Sequence, residues 1–264
     1  MTLPGAPGAP GAPAAARPLL ERFTADLAAA LPLLALWAHG SLALGDYQPG
    51  RSDLDLIAVL TDEVSPAQHA LLQRLHDALA RDEPLADKLH CSYVARAHLA
   101  EVARSHVTWA HGELMTRPVS PVTRRELLQG GLRLHGPAPA GLVPAVTDAE
   151  LADFIRSDLR DFWLPATGRP HLWLRDIWVD LGLLTLARAS VTLQEGRLIT
   201  KREALEVLAG LDAPADVVHD IYQRRYETPD TPASRTWRIR RARLARAFVR
   251  AGIERILQAP RGLI

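Results

Sequence analysis

The stretch "HGSLALGDYQPGRSDLDLIAV", His39 to Val59, decides the fold. Its second half runs into Leu54-Asp55-Leu56-Ile57-Ala58-Val59-Leu60, an apolar segment that reads as a buried strand. Two carboxylates, Asp53 and Asp55, stand at the strand's start, two positions apart. Side chains alternate faces along a strand, so both point the same way. Burying like charges that close is costly, or forces a proton onto one of them. A hard divalent cation removes the conflict, because Mg²⁺ takes oxygen ligands, commonly one or two carboxylates plus substrate phosphates. Upstream, Gly40-Ser41 reads as a tight turn after a short strand over 34–38. Glycine lets the backbone approach a phosphate closely, and the Ser41 hydroxyl with nearby N–H groups can donate to it.

Around this stretch lies a chain of 264 residues, 48% hydrophobic and 23% charged. That is room for one large domain or two ordinary ones, each with a real core. A net charge of +1 argues against nucleic acid or a membrane surface as partner. The single cysteine, Cys91, allows no internal disulfide and fits a reducing compartment. No apolar run approaches the ~20 residues of a membrane span, and no signal-peptide pattern is present, so the expected location is cytoplasmic. Of the 31 basic residues only Lys88 and Lys201 are lysines.

Residues 1–17 repeat Gly-Ala-Pro and are expected to form a disordered lead. An apolar helical spacing follows from Leu19 to Leu34. Ser65-Pro66 opens a helix running to about Arg81, and "KLHCSYVA", Lys88 to Ala95, reads as a third strand. "SPVTRRELLQGGLRLHGP" reads as a short helix ending at Gly130-Gly131, and "GPAPAGLVPAVTD" as a linker. Beyond it helices are expected over 148–163, 171–195, 200–210, 213–226 and 235–257, with a turn at Thr228–Pro232. The expected fold is α+β: an α/β domain with a small mixed sheet over 18–145, then an all-helical bundle over 146–264.

Strand, Gly-Ser, spacer and Asp-x-Asp together resemble the nucleotidyltransferase superfamily related to DNA polymerase β. "LTLARASVTLQEGRLITKREALEVL", Leu184 to Leu208, is similar to the helical domain of the aminoglycoside adenylyltransferases that modify streptomycin and spectinomycin, with Arg188, Gly196, Arg197 and Lys201 at the matching positions. "RRELLQGGLRLHGP" and "VVHDIYQRRYE" resemble further segments of that family. The resemblance implies transfer of AMP from ATP to a hydroxyl of the antibiotic. It implies that Asp53 and Asp55 hold Mg²⁺, that Gly40 and Ser41 cradle phosphates, and that Lys201 and Tyr222 touch ATP.

The family's third carboxylate, a Glu acting as general base, is missing. On the matching strand His90 stands in that register. Three readings stay open. His90 is the base, since imidazole suits proton abstraction near neutrality; or Asp82, Glu83 or Asp87 supplies a carboxylate; or catalysis is lost and the chain only binds. Strand parity opposes Asp87.

An aminoglycoside carries ammonium groups, so its pocket calls for carboxylates and aromatic faces. Trp109 and Glu113 on one side, and Asp158, Asp161, Trp173, Asp176, Trp178 and Asp180 on the other, are the residues of that type. Trp173, Asp176 and Asp180 are spaced for one helix face and suggest a cation-binding stripe; the competing reading is core tryptophans and aspartates paired with arginines. The arginines of the last helix read as a solvated face, with one or two free to reach a triphosphate.

Overall fold

The computed structural model describes residues 13–228 and 233–259, and the chain divides into two compact units after Val146. The expected lead at 1–17 lies outside the described residues up to position 12, and most of the turn at Thr228–Pro232 likewise.

The first unit begins with α1 (Arg17–Ala30), β1 (Leu33–Ala38), the single turn α2 (Gly40–Ala43) and β2 (Leu54–Leu60). It continues with α3 (Pro66–Asp82), β3 (Leu89–Ala95), β4 (Ser105–Ala110), β5 (Glu113–Pro118), α4 (Pro121–Gly130) and β6 (Leu132–His135). The strands form one six-stranded sheet in the order β5-β4-β3-β2-β1-β6. Only β2 and β3 pair in parallel, and α3 makes the crossover between them. Its start is fixed by a reciprocal capping box between Ser65 and Gln68.

Alternation along β2 sorts the unit into two faces. Leu54, Leu56, Ala58 and Leu60 pack with Leu20, Phe23 and Leu27 of α1 and Leu72 and Leu79 of α3. Ile57 and Val59 join Ala35, Trp37, Val94 and Leu127 on the other face. Asp55 belongs to this second face by parity, as do His90 and Ser92 opposite it on β3. Cys91 points the other way and has no exposed surface; burial lifts its thiol to about 12.

Two elements differ from the sequence expectation. Residues 105–118 form a hairpin, closed by His111 and Gly112, both at positive φ, as a two-residue primed turn requires. The helix expected to end at Gly130-Gly131 is α4, but the segment between it and the Gly-Pro stop is a strand, β6, pairing with β1, which was not expected.

The second unit is helical: α5 (Asp148–Asp158), α6 (Leu164–Thr167), α7 (Asp176–Glu195), α8 (Lys201–Gly210), α9 (Ala215–Tyr226) and α10 (Arg235–Gln258). One π turn, Leu159–Trp163, joins α5 to α6. The helix expected over 171–195 starts later. Trp173 lies in a separate 3₁₀ turn, and Arg175 is extended before Asp176 opens α7. The core gathers Leu159, Trp173, Val179, Leu183, Ala187, Leu208, Ile221, Val249 and Ile253. The fold is thus α+β, with a mixed sheet and a helical C-terminal region, as expected.

Candidate active site

The quoted stretch folds so that the Gly40 turn and the start of β2 touch. The backbone N–H of His39 donates to the Asp55 carbonyl at 2.9 Å. Gly40 has φ +62°, and a Cβ at this position would come within 2.9 Å of Asp55 Oδ2. Only glycine satisfies both demands, the left-handed backbone and the empty space beside a carboxylate. Asp53 stands immediately before β2, half-buried, at the end of a loop in which Ser52 Oγ accepts from the Gln48 N–H at 3.0 Å.

His90 faces Asp55 directly across the parallel pair. Its Nδ1 lies 3.5 Å from Asp55 Oδ1, with the side chains 8% and 34% exposed respectively. Nε2 of His90 is buried and has no hydrogen-bond partner among the described residues. The antiparallel β1–β2 pair thus sets Gly40 against Asp55, and the parallel β2–β3 register sets His90 beside it. The alternative carboxylates do not join them: Asp82 and Glu83 are held by Arg22 of α1, and Asp87 is exposed in the 3₁₀ turn before β3.

Asp55 and His90 open onto a cavity of about 260 Å³ that is also lined by His39, Ser92, Arg117 and Thr123. Sequence reasoning had not marked His39, Arg117 or the buried Glu126 behind it. His39 Nδ1–H donates to Glu126 Oε2 at 3.0 Å. Burial alone pulls the imidazole pKa down, but the Glu126 bond and the Asp55 charge outweigh it and leave it raised. No local pattern signals this pair, because its partners are 87 positions apart.

Among the described residues no group of three or more His, Cys, Asp or Glu could hold a metal. The donor set of Asp53 and Asp55 is nevertheless of the hard-oxygen type Mg²⁺ takes, and the space left by Gly40 lies beside one of those oxygens. The protein would supply two carboxylates, with phosphate oxygens and water completing the shell.

The residues suggested for the acceptor disperse. Trp109 lies on the opposite sheet face from Asp55 and stacks on the His76 ring at 4.3 Å within the core. Glu113 is exposed at the hairpin turn, paired with Ala110. Trp173 is fully buried and its indole N–H donates to the Ala166 carbonyl at 3.0 Å. Asp176 is paired with Arg241, and Asp180 accepts from Arg224 at 2.8 Å, so the stripe's charges are neutralised internally. Helical spacing placed these aspartates on one face but could not show that arginines of α9 and α10 cover them. Asp161 likewise pairs with Arg160.

In the second unit, Lys201 is the first residue of α8, after a capping box between Thr200 and Glu203. Tyr222 lines a cavity of about 780 Å³ between α8 and α9, with Arg202, Asp212 and His219 among its neighbours.

No family model matches the chain, and no curated protein matches it in sequence. Among solved structures it is similar to a spectinomycin adenyltransferase from Enterococcus faecialis, crystallised with ATP and spectinomycin, with a TM-score of 0.65 and 12% identity. The likeness covers 86% of this chain and 98% of that one. At that identity what is shared is the architecture: the chain has a nucleotidyltransferase-like fold.

Proposed function

We propose that this protein transfers AMP from ATP to a hydroxyl of an aminoglycoside-type antibiotic of the streptomycin and spectinomycin kind, and so confers resistance. The observation that carries this reading is the Gly40 turn pressed against Asp55, within a fold shared with an adenyltransferase. The acceptor oxygen bonds to the α-phosphorus, the bond to the β-phosphate oxygen breaks, and pyrophosphate leaves with its electron pair. Asp53 and Asp55 would hold Mg²⁺, which when bound would offset the negative charge of the transferred phosphate. Backbone N–H groups at Gly40 and Ser41 bind phosphate, and Lys201 and Tyr222 contact the nucleotide. The hydroxyl proton passes to His90, which stands beside Asp55. Glu113 and Asp158 are the carboxylates of the acceptor set that no arginine holds among the described residues. The reaction belongs in the cytoplasm, where ATP is abundant.

A second reading is transfer to a hydroxyl acceptor with fewer ammonium groups. The internal pairing of Asp176 and Asp180 favours it, as does the exposed apolar surface of Phe162, Ile177 and Leu181. Mass spectrometry separates the two: the chain with Mg²⁺–ATP and streptomycin or spectinomycin is expected to yield the drug plus one AMP, with transfer lost on adding EDTA. AMP appearing only on other acceptors supports the second reading. A chain that binds ATP and transfers to nothing is a silent member of the fold, and the proposal fails.

A further inference from the structure

The cavity beside Asp55 has a cationic wall that the roles above leave unused. Arg117 lies on β5 opposite His106 of β4, and the register puts it on the same sheet face as His90 and Asp55. Strand pairing and the hairpin turn set its position, and its side chain lines the cavity. It is near enough to His39 to oppose that ring's protonation. Two other arginines of this unit are committed to carboxylates: Arg22 holds Asp82 and Glu83, and Arg104 holds Glu63 and Glu101. The Arg117 guanidinium, half-buried, makes no hydrogen bond or ion pair among the described residues. Such a fork of five N–H donors, permanently charged and aimed into a cavity, matches the oxygens of a phosphate. His90 adds a second ungratified polar atom in the same wall, its buried Nε2.

We propose that Arg117 binds a phosphate of the nucleotide's polyphosphate chain, and holds it through departure as pyrophosphate. The inference rests on the nucleotidyltransferase reading and adds to it a residue on β5, outside the Gly-Ser and Asp-x-Asp motifs. Arg117 gives and takes no proton; it supplies positive charge to the cavity that Asp55 also lines.

Isothermal titration of the full chain with Mg²⁺–pyrophosphate and with Mg²⁺–ATP tests it. Arg117→Ala is expected to weaken both ligands by about tenfold to a hundredfold, the loss of a charged hydrogen-bonding group. Arg117→Lys is expected to recover part of it, and Arg133→Ala, at an exposed position of β6, to change neither. Thermal melting of Arg117→Ala and Arg117→Gln checks that the sheet is intact. Wild-type affinity for both ligands in a folded Arg117→Ala chain overturns the assignment. Arg133→Ala weakening binding as much as Arg117→Ala also overturns it, since the effect would then be general charge. If the wild type binds neither ligand, the nucleotidyltransferase reading itself falls, a result distinct from equal binding by both proteins.

Discussion

Two pairs of aspartates look alike on paper and behave differently in the fold. Asp53 and Asp55 stand two apart at the edge of a strand, and Asp176 and Asp180 stand four apart on a helix. Of the first pair, Asp55 lines a cavity and keeps a third of its side chain exposed, and Asp53 stands half-buried just before the strand. The second pair is absorbed into a network. Arg241, with 0% of its side chain exposed, holds Asp176 and Asp220, while Arg224 bridges Asp220 at 2.8 Å and Asp180 at 2.7 Å. The Trp237 indole donates to Asp220 as well. The lesson is physical: a carboxylate becomes available for chemistry when backbone geometry holds it at a rim, and it becomes structure when a cation from another helix reaches it first.

Exchanging charge for amide in each pair sharpens the contrast most. Asp53→Asn is expected to drop AMP transfer below detection while melting within a few degrees of the wild type. Asp176→Asn is expected to keep transfer and lose stability. Asp53→Asn with wild-type turnover would remove the metal-holding role proposed for the strand edge.

Breaking the network from its buried cation comes next. Arg241→Ala leaves Asp220 without one of its two arginine partners and empties a fully buried site, and is expected to cost about 3–5 kcal/mol in urea unfolding. That is a large share of the ~5–15 kcal/mol that holds a domain together. A loss below about 1 kcal/mol would mean the network is wet and weak.

His90 tests the strand side. With the proton acceptor removed, His90→Ala is expected to lower kcat about a hundredfold. His90→Glu, restoring a carboxylate opposite Asp55, is expected to recover much of it. Unchanged turnover in both variants would make His90 a packing residue.

The smallest effect is a pH dependence. Burial raises the Asp220 carboxyl, but the bonds from Trp237, Arg224 and Arg241 outweigh it and leave its pKa below the ordinary value. A lowered carboxyl pKa stabilises the fold fully above the unfolded value of ~3.9, and that contribution fades as pH falls through the folded value. The stability gap between wild type and Asp220→Asn, on the order of 1 kcal/mol after solvent screening, should narrow below about pH 4. Asp180 has the opposite sign, its carboxyl raised because burial exceeds the pull of Arg224. A gap that widens in acid would refute the assignment to Asp220.

Much of the first unit was legible because its signals are local. The apolar run of β2, the Gly-Ser turn and the capped start of α3 each lie within a few residues of the structure they create. The hairpin was not legible because β4 turns His106 and Thr108 inward onto the site-bearing face, and both are buried. Polar residues on the buried side erase the alternation that marks a strand. β6 has only four residues and depends on pairing with β1 to be a strand at all. The His39–Glu126 contact and the cover over Asp176 and Asp180 share one cause. Each is made by elements far apart in the chain, and periodicity carries no information across that distance. The sequence offers Trp109 for the acceptor, and leaves Trp173 between ligand stripe and core, for a related reason: large indoles are as useful to a core as to a ligand pocket, and only the face they occupy decides.

Cys91 carries a practical consequence. Sealed in the sheet and protonated at any ordinary pH, the chain's lone thiol will ignore maleimide dyes and spin labels. An engineered surface cysteine in each unit could then be labelled without first deleting the native one, making the molecule ready for distance measurements as nucleotide is added.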